Sequence, residues 1–117
     1  MNPFRPMSDW PTLEELQAGM EYYISLAKKS GIKTYLGTLL PIYGWRTYAQ
    51  FREDLRHGFN EYLRNNPRAD GCIDFDAALR SKENPLAFKE GFDSGDHLHP
   101  SEIAYKEMAE LAYKGLF

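Results

Sequence analysis

One run of apolar and β-branched residues, IKTYLGTLLP at positions 32 to 41, restricts the fold more than any other segment. A run of this composition is typical of a strand that is buried on both faces, as the interior strands of parallel sheets are. Pro41 ends the run because proline has no N–H to donate to a neighbouring strand. A second, shorter strand is predicted at GCIDF, residues 71 to 75.

An amphipathic helix separates the two strands. The segment RTYAQFREDLRHGFNEYLRNNP, residues 46 to 67, carries aromatic and aliphatic residues at helical spacing on one side, and Asn-Asn-Pro terminates it. These positions are Tyr48, Phe51, Leu55, Phe59 and Tyr62. A strand, a helix and a strand in one sheet form a right-handed crossover with parallel strands. We therefore predict an α/β domain, although a two-stranded sheet alone has little stability.

Two further helices flank this unit. TLEELQAGMEYYISLAKKSG begins with Thr12 and Glu15 at capping-box spacing and ends at Gly31, which suits the left-handed position after a last turn. The final helix is predicted in SEIAYKEMAELAYKG, with Ser101 as its cap and Gly115 as its stop. The element order is therefore helix, strand, helix, strand, loop and helix.

Composition limits the classes of protein to which the chain can belong. Its 117 residues, 43% of them hydrophobic, fit one domain, and the net charge of -3 argues against a nucleic-acid partner. No apolar stretch approaches the roughly 20 residues of a membrane span. Residues 1 to 11 contain three prolines and no signal-peptide pattern, which predicts an irregular arm before a domain of residues 12 to 117. The single cysteine, Cys72, cannot form an internal disulfide.

The segment DSGDHLHP, residues 93 to 100, holds the candidate chemistry. Asp96 and His99 lie three positions apart, and Pro100 precedes the final helix. A loop that turns into a helix can bring such a pair within hydrogen-bond distance. The carboxylate would then hold the imidazole in one tautomer while the other ring nitrogen accepts a proton. The sequence therefore predicts an acid–base pair.

Three neighbouring or similar side chains carry other expectations. Asp93 is a substitute acid outside the required spacing, His97 is expected to be an exposed loop residue, and His57 is expected to be solvated on its helix. An alternative for the loop is a zinc or manganese site, although adjacent loop residues seldom converge without a ligand from elsewhere. Its ligands would be Asp93, Asp96, His97 and His99.

The segment FDSGDHLHPSEIAYKEMAELA resembles the final motif of the SGNH hydrolases, the GDSL-type esterases and lipases. GIKTYLGTLLPIYGW is similar to a late core strand of that family and the loop after it, and RADGCIDFDAAL is similar to its last strand. The resemblance runs from Thr12 to the end and implies a partial three-layer, flavodoxin-like α/β fold with a short parallel sheet flanked by helices. It also implies that His99 is the general base and Asp96 the orienting acid of a Ser-His-Asp triad, with no cofactor.

The nucleophile of that family is missing from the sequence. Its serine belongs to a Gly-Asp-Ser motif, which occurs nowhere in the 117 residues, and the oxyanion glycine and asparagine motifs are also absent. Ser94 lies too near the acid–base pair to replace that serine. The resemblance therefore implies the C-terminal half of an acyl-ester hydrolase, inactive alone. The alternative is a non-catalytic module for oligomerisation or partner binding.

Half a domain leaves an unpaired strand edge and uncovered helix faces, which favour association. We expect a homo-oligomer, or assembly with the missing N-terminal half in trans, and an ester substrate for the complete enzyme. Tyr43 and Trp45 are candidates for substrate contacts because open α/β sheets bind ligands at the carboxyl ends of their strands. Covering the core is the alternative role for these aromatic residues. The compartment stays open, since an export signal of the kind many relatives carry would lie in the missing half.

Overall fold

The computed structural model describes residues 11–116, so the arm predicted for residues 1 to 11 lies outside the described residues except for Pro11. The elements of the described part are α1 (Leu13–Lys29), β1 (Tyr35–Gly37), α2 (Gln50–Arg64), β2 (Gly71–Ile73), α3 (Phe75–Leu79) and α4 (Glu102–Leu116). Strands β1 and β2 pair in parallel, with Leu36 opposite Cys72. The predicted α/β class is confirmed. Within the same residues, no helix is both long and apolar enough to cross a membrane.

Helix α1 begins where the capping box predicts. The Glu15 N–H donates to the Thr12 hydroxyl at 3.1 Å, and the Thr12 N–H donates to the Glu15 carboxylate at 3.3 Å. These reciprocal bonds satisfy two backbone donors that a helix start would otherwise leave without partners. The helix packs on α2, and together with β1 they form the first of two hydrophobic cores. Its buried members are Ile24, Leu36, Phe59 and Leu63.

Strand β1 is shorter and less buried than the sequence predicts. It has three residues, of which only Leu36 is buried, while Tyr35 and Gly37 are exposed. The expectation of a strand with two buried faces is therefore wrong. In residues 11–116 the sheet has only these two strands, so β1 has a neighbour on one side and contributes one side chain to the core.

Helix α2 buries a face that is largely polar. Phe59 enters the core as predicted, but Arg52, Glu53, Arg56 and Asn60 are also buried. The predicted apolar stripe is therefore only part of the buried surface, and Tyr48 lies before the helix starts. The periodicity of the sequence does not indicate this polar buried face, because a hydropathy scale gives a charged residue the same value whether it is paired in the interior or solvated.

A buried ion network explains how these charges leave water. The Arg56 guanidinium donates to Glu53 at 2.8 Å and to Asp76 at 2.7 Å. Asp76 is 3% exposed and also accepts hydrogen bonds from Arg64 at 2.9 Å and from Arg80 at 3.1 Å. Burying a charge is unfavourable unless it is paired and hydrogen-bonded, and each of these carboxylates is. The network fastens α2 to α3.

The carboxyl ends of the two strands are held together by side chains. The Thr38 hydroxyl, just after β1, donates to Asp74 at 3.0 Å and accepts from the Asp76 N–H at 2.9 Å. Asn60 of α2 accepts from the Leu39 N–H at 2.7 Å and donates to the Leu39 carbonyl at 2.9 Å. These bonds fix the points at which the loops after both strands begin.

The C-terminal third contains one helix that the sequence did not predict and one that it did. Asp74 caps the unpredicted helix α3 by accepting from the Ala77 N–H at 3.1 Å. Ser101 caps α4 as predicted, since its hydroxyl accepts from the Ala104 N–H at 3.3 Å. Gly115 does not stop α4, which includes Leu116. A Cβ at Gly115 would lie 3.3 Å from the Ile73 side chain, so glycine here allows α4 to pack closely on β2. The second core comprises Leu79, Phe88 and Ala104.

Candidate active site

The segment of residues 93 to 100, which we call the acid–base loop, is closed by its own backbone. Asp93 and Pro100 form an antiparallel bridge, and the Ser94 N–H donates to the His99 carbonyl at 2.9 Å. Gly95 has a φ of 110°, which glycine adopts readily, and its N–H donates to the Asp93 carboxylate at 2.7 Å. The loop therefore has a defined shape although most of it is exposed.

Asp96 and His99 face each other across this loop. The Asp96 Oδ2 and the His99 Nδ1 lie 2.6 Å apart. Because an ionised carboxylate only accepts hydrogen bonds, Nδ1 carries the proton and donates it. This assignment leaves the lone pair on Nε2, the nitrogen that can take a proton from a nucleophile. The hydrogen bond that the sequence predicts is present, while its catalytic role stays a prediction.

The second oxygen of Asp96 is fixed as well. Its Oδ1 accepts from the N–H groups of Leu98 and His99, both at 2.9 Å, and from the Ser94 hydroxyl at 3.2 Å. The hydrogen bond from the His99 ring, followed by those from the two backbone N–H groups, holds the pKa of Asp96 well below its usual range. Asp96 is therefore ionised at neutral pH and oriented before any substrate arrives.

Ser94 lies on the acid side of the pair. Its hydroxyl donates to Asp96 rather than to the ring of His99. Cys72, the single cysteine of the sequence, lies on β2. Burial raises the pKa of its thiol, and the nearby Asp74 carboxylate raises it further. Neither position resembles an activated nucleophile, since activation needs an adjacent base or a lowered pKa.

His97 is exposed, as predicted, but it is not free of partners. Its Nδ1 lies 3.1 Å from the Asp93 Oδ2, which forms a second histidine–carboxylate pair beside the first. The alternative metal site is not formed, because nowhere in residues 11–116 do three His, Cys, Asp or Glu side chains converge as ligands. His57 is exposed on α2 and borders a cavity of about 440 Å³ that arginine and aspartate side chains line.

The two aromatic candidates lie in the loop after β1. Tyr43 is 45% exposed and its ring meets that of Tyr48 edge to face at 5.3 Å. The Arg52 guanidinium lies over the Trp45 ring at 6.0 Å. Gly44, between the two candidates, approaches the His97 ring, so the two loops touch at this residue. The sequence analysis missed Gly44; its only signal was a glycine between two aromatic residues.

Comparison with models of protein families matches residues 11–112 to GDSL-like Lipase/Acylhydrolase. The chain belongs to this family. Among solved structures, this GDSL-family chain is similar to a protein of the G-D-S-L family of lipolytic proteins from Desulfitobacterium hafniense DCB-2, with a TM-score of 0.72 and 23% sequence identity. At this identity the likeness shows the fold alone. No curated protein matches the chain.

The same structural match shows what share of its structural relative this chain corresponds to. The alignment covers 92% of this chain and 57% of the Desulfitobacterium chain, so the present chain spans little more than half the length of its structural relative. The predicted family and the α/β fold class are confirmed.

Proposed function

We propose that the chain supplies the acid and base of an acyl-ester hydrolase of the GDSL family. The observation that carries this proposal is the 2.6 Å contact between Asp96 and His99 in a loop whose backbone also binds the carboxylate. His99 is the general base and Asp96 orients its ring. In the complete reaction a serine hydroxyl attacks the ester carbonyl while His99 Nε2 takes its proton. His99 then returns this proton to the departing alcohol, and water hydrolyses the acyl-enzyme.

The serine and the oxyanion donors of this reaction come from outside the chain. The sequence has no Gly-Asp-Ser, and Ser94 is engaged with the acid. The coverage of little more than half of the structural relative supports a complementary segment of the same fold. Triad variants of serine hydrolases keep a residual rate of about 10³–10⁴-fold over water because the oxyanion hole and the binding site survive. Here that source is missing, so the chain alone is inactive.

An activated acetyl ester tests the inactivity of the chain alone. We expect the purified protein to hydrolyse p-nitrophenyl acetate no faster than free imidazole at the same concentration. A burst of acyl-enzyme from the pure chain would overturn the proposal, since it would require a nucleophile that the proposal places elsewhere.

Complementation tests the roles of the pair. We expect a polypeptide that carries the Gly-Asp-Ser and asparagine motifs of the family, fused ahead of Pro11, to restore esterase activity. In the fusion, His99→Asn should lower kcat by about 10⁶-fold and Asp96→Asn by about 10⁴-fold, as in other triads. His57→Asn is the matched control and should leave the rate unchanged. Full activity in the His99→Asn fusion, or an inactive but folded parent fusion, contradicts the proposal.

A second candidate function is a non-catalytic assembly module. The specific observations in its favour are the exposed apolar side chains on α1 and just before β1, and the open edge of that strand within residues 11–116. Under this alternative the chain self-associates and the folded fusion has no esterase activity. Tyr43 and Trp45 would then serve packing, whereas in the hydrolase they border the substrate.

A further inference from the structure

His97 adopts a backbone conformation that needs an explanation. Its φ is 61°, and among the described residues outside glycine no other has a positive φ. Side chains with a Cβ avoid this left-handed region because the Cβ crowds the following carbonyl. Such strain persists only where the surrounding structure over-determines it, and it concentrates at functional sites. The contacts of His97 should therefore show what holds it.

Two contacts hold the ring of His97. One is its Nδ1, 3.1 Å from the Asp93 carboxylate four residues earlier. The other is Gly44 of the loop after β1, where a Cβ would lie 3.1 Å from the His97 Cγ and 3.3 Å from its Cδ2. Gly44 itself has a φ of 90°. A Cβ at position 44 would therefore crowd the ring, so a glycine at this position allows the close approach of the two loops.

The position of this contact matters because it links the tip of the acid–base loop to another segment of the chain. The Asp96–His99 hydrogen bond and the bonds from Ser94 and Gly95 are internal to the loop, so they set its shape but not its place. The two ends of the loop are held together by the Ser101 N–H, which donates to the Phe92 carbonyl at 2.8 Å. The ring of His97 reaches a different loop, more than fifty residues away in sequence.

The loop that receives the ring is anchored in its turn. Pro41 is fully buried, and the Tyr43 N–H donates to the Leu86 carbonyl at 3.3 Å. Gly44 lies between Tyr43 and Trp45, the two candidates for substrate contacts. We call residues 41 to 45 the aromatic loop. The contact between His97 and Gly44 thus joins the segment that holds the base to the segment that would border the substrate.

We infer that His97 is a positioning residue: its ring, held by Asp93 and seated on Gly44, fixes the acid–base loop against the aromatic loop and so sets where His99 points. The role in catalysis rests on the proposed function above, while the positioning itself is a property of this chain. His97 does not touch the reacting atoms. It acts through His99, two residues later.

The unmodified chain offers the first test. Nuclear Overhauser contacts between the His97 ring protons and the Gly44 α-protons are expected, because the two groups are in van der Waals contact. The amides of residues 94 to 99 should have order parameters of about 0.85, as in rigid backbone. Absence of these contacts, or mobile amides in the unmodified chain, overturns the inference without any substitution.

His97→Gly is the variant that removes the ring together with its Cβ, and glycine takes the same positive φ without strain. We expect the order parameters of residues 94 to 99 to fall below about 0.6, with altered amide signals at Tyr43 and Trp45. The imidazole Nδ1 proton that His99 shares with Asp96 should persist, because that hydrogen bond is internal to the loop. His57→Asn should change none of these signals. A loop that stays rigid in His97→Gly contradicts the inference.

A double-variant cycle checks that the ring and Gly44 act together. Gly44→Ala should lower the urea midpoint of the chain, and it should lower it less in the His97→Gly background, where no ring opposes the new methyl group. Equal effects in both backgrounds would show that the two residues are independent. If Gly44→Ala fails to fold, the nuclear Overhauser and order-parameter measurements still decide.

The activity readout separates this inference from the proposed function. In the active fusion, His97→Gly should lower kcat by about 10- to 100-fold while the Asp96–His99 signal persists, since a misplaced base slows the chemical step. An inactive fusion overturns the proposed function and leaves the magnetic-resonance results standing. An active fusion whose kcat is unaffected by His97→Gly overturns the positioning role alone.

Discussion

The Asp96 carboxylate accepts four hydrogen bonds, from one ring N–H, two backbone N–H groups and one hydroxyl. All of them favour the ionised form, and their donors lie within three residues of Asp96 in sequence. The geometry is therefore local and does not depend on burial, since both Asp96 and His99 are exposed. A pair held in this way can be studied in the isolated chain.

The first prediction concerns the titration of Asp96. Its carboxyl carbon, followed by carbon-13 NMR, should remain ionised at about pH 3.9, where an ordinary aspartate is half protonated. Because the folded-state pKa lies below the unfolded one, the hydrogen bonds stabilise the fold above about pH 4, and this contribution is lost as the pH falls through the folded-state pKa.

Two variants assign the cause of that shift. His99→Ala removes the largest contribution and should raise the pKa of Asp96, though not fully to the ordinary value because the backbone N–H groups remain. Ser94→Ala removes only the hydroxyl, the smallest of the hydrogen-bond contributions, and should raise it less. Identical titration curves in the unmodified chain and in His99→Ala would show that the ring does not bind the carboxylate.

At the level of elements, α2 organises the carboxyl end of the sheet. Its buried Asn60 offers the Leu39 backbone the two hydrogen bonds that a neighbouring strand would otherwise make. Its Arg56 donates to the Leu39 carbonyl as well as to Asp76. The loop that carries Tyr43, Gly44 and Trp45 starts from this clamped point. Polar burial in α2 therefore positions the aromatic loop.

The second prediction tests this clamp. Asn60→Leu removes both hydrogen bonds between the Asn60 side chain, which is 1% exposed, and the Leu39 backbone. The Leu39 N–H then loses its side-chain partner, while the Leu39 carbonyl keeps the bond from Arg56. A buried polar group left unpaired costs about 1–3 kcal/mol, so the free energy of unfolding should fall by about 1–3 kcal/mol. Urea denaturation followed by circular dichroism measures the loss.

A control lies at the end of the same helix. Asn65 also donates its amide to a backbone carbonyl, that of Glu61, but in an exposed position. Asn65→Leu should change the free energy of unfolding by no more than about 0.5 kcal/mol, because water replaces the lost bond. Equal losses for Asn60→Leu and Asn65→Leu would mean that the clamp adds nothing beyond an ordinary surface contact.

At the scale of the whole molecule, an exposed apolar surface on α1 favours association. Tyr22 and Tyr23 of α1 are 62% and 68% exposed, and Leu26 on the same helix and Ile32 after it are also exposed. The nearby strand β1 has a neighbour on one edge only within residues 11–116. Exposed apolar patches and open strand edges both favour association. The homo-oligomer stays a prediction, and the exposed side chains of α1 are the surface on which it can be tested.

The third prediction concerns this surface. Sedimentation equilibrium should give a mass larger than the 13.5 kDa of the single chain. The double variant Tyr23→Lys/Leu26→Lys should shift the chain towards monomer, because burying the two new charges in an interface is costly. Tyr105→Lys is the control, because Tyr105 is also an exposed aromatic residue, at 54%, but lies on a different helix, α4. A monomer at every concentration contradicts the prediction.

Much of this protein follows from local sequence. The capping box at Thr12 and the cap at Ser101 need only residues within one helical turn, and both are present. The spacing of Asp96 and His99 places their contact within one loop, so their hydrogen bond could also be predicted. In each case the interacting groups are three residues apart. Chain geometry alone brings such groups together.

The sequence by itself determined the alternation of helices and strands, the family and the hydrogen bond between Asp96 and His99. Tertiary structure decided the features that depend on distant partners, namely the polar buried face of α2, the single buried side chain of β1, and the seat of His97 on Gly44. Hydropathy cannot reveal that Arg56 will meet Asp76, twenty residues later. Nor can it reveal that a glycine and a histidine more than fifty residues apart will touch. The physical reason is that a buried charge or a strained φ is stable only where neighbouring groups compensate its cost. Those neighbours are distant in sequence and come together only in the folded chain.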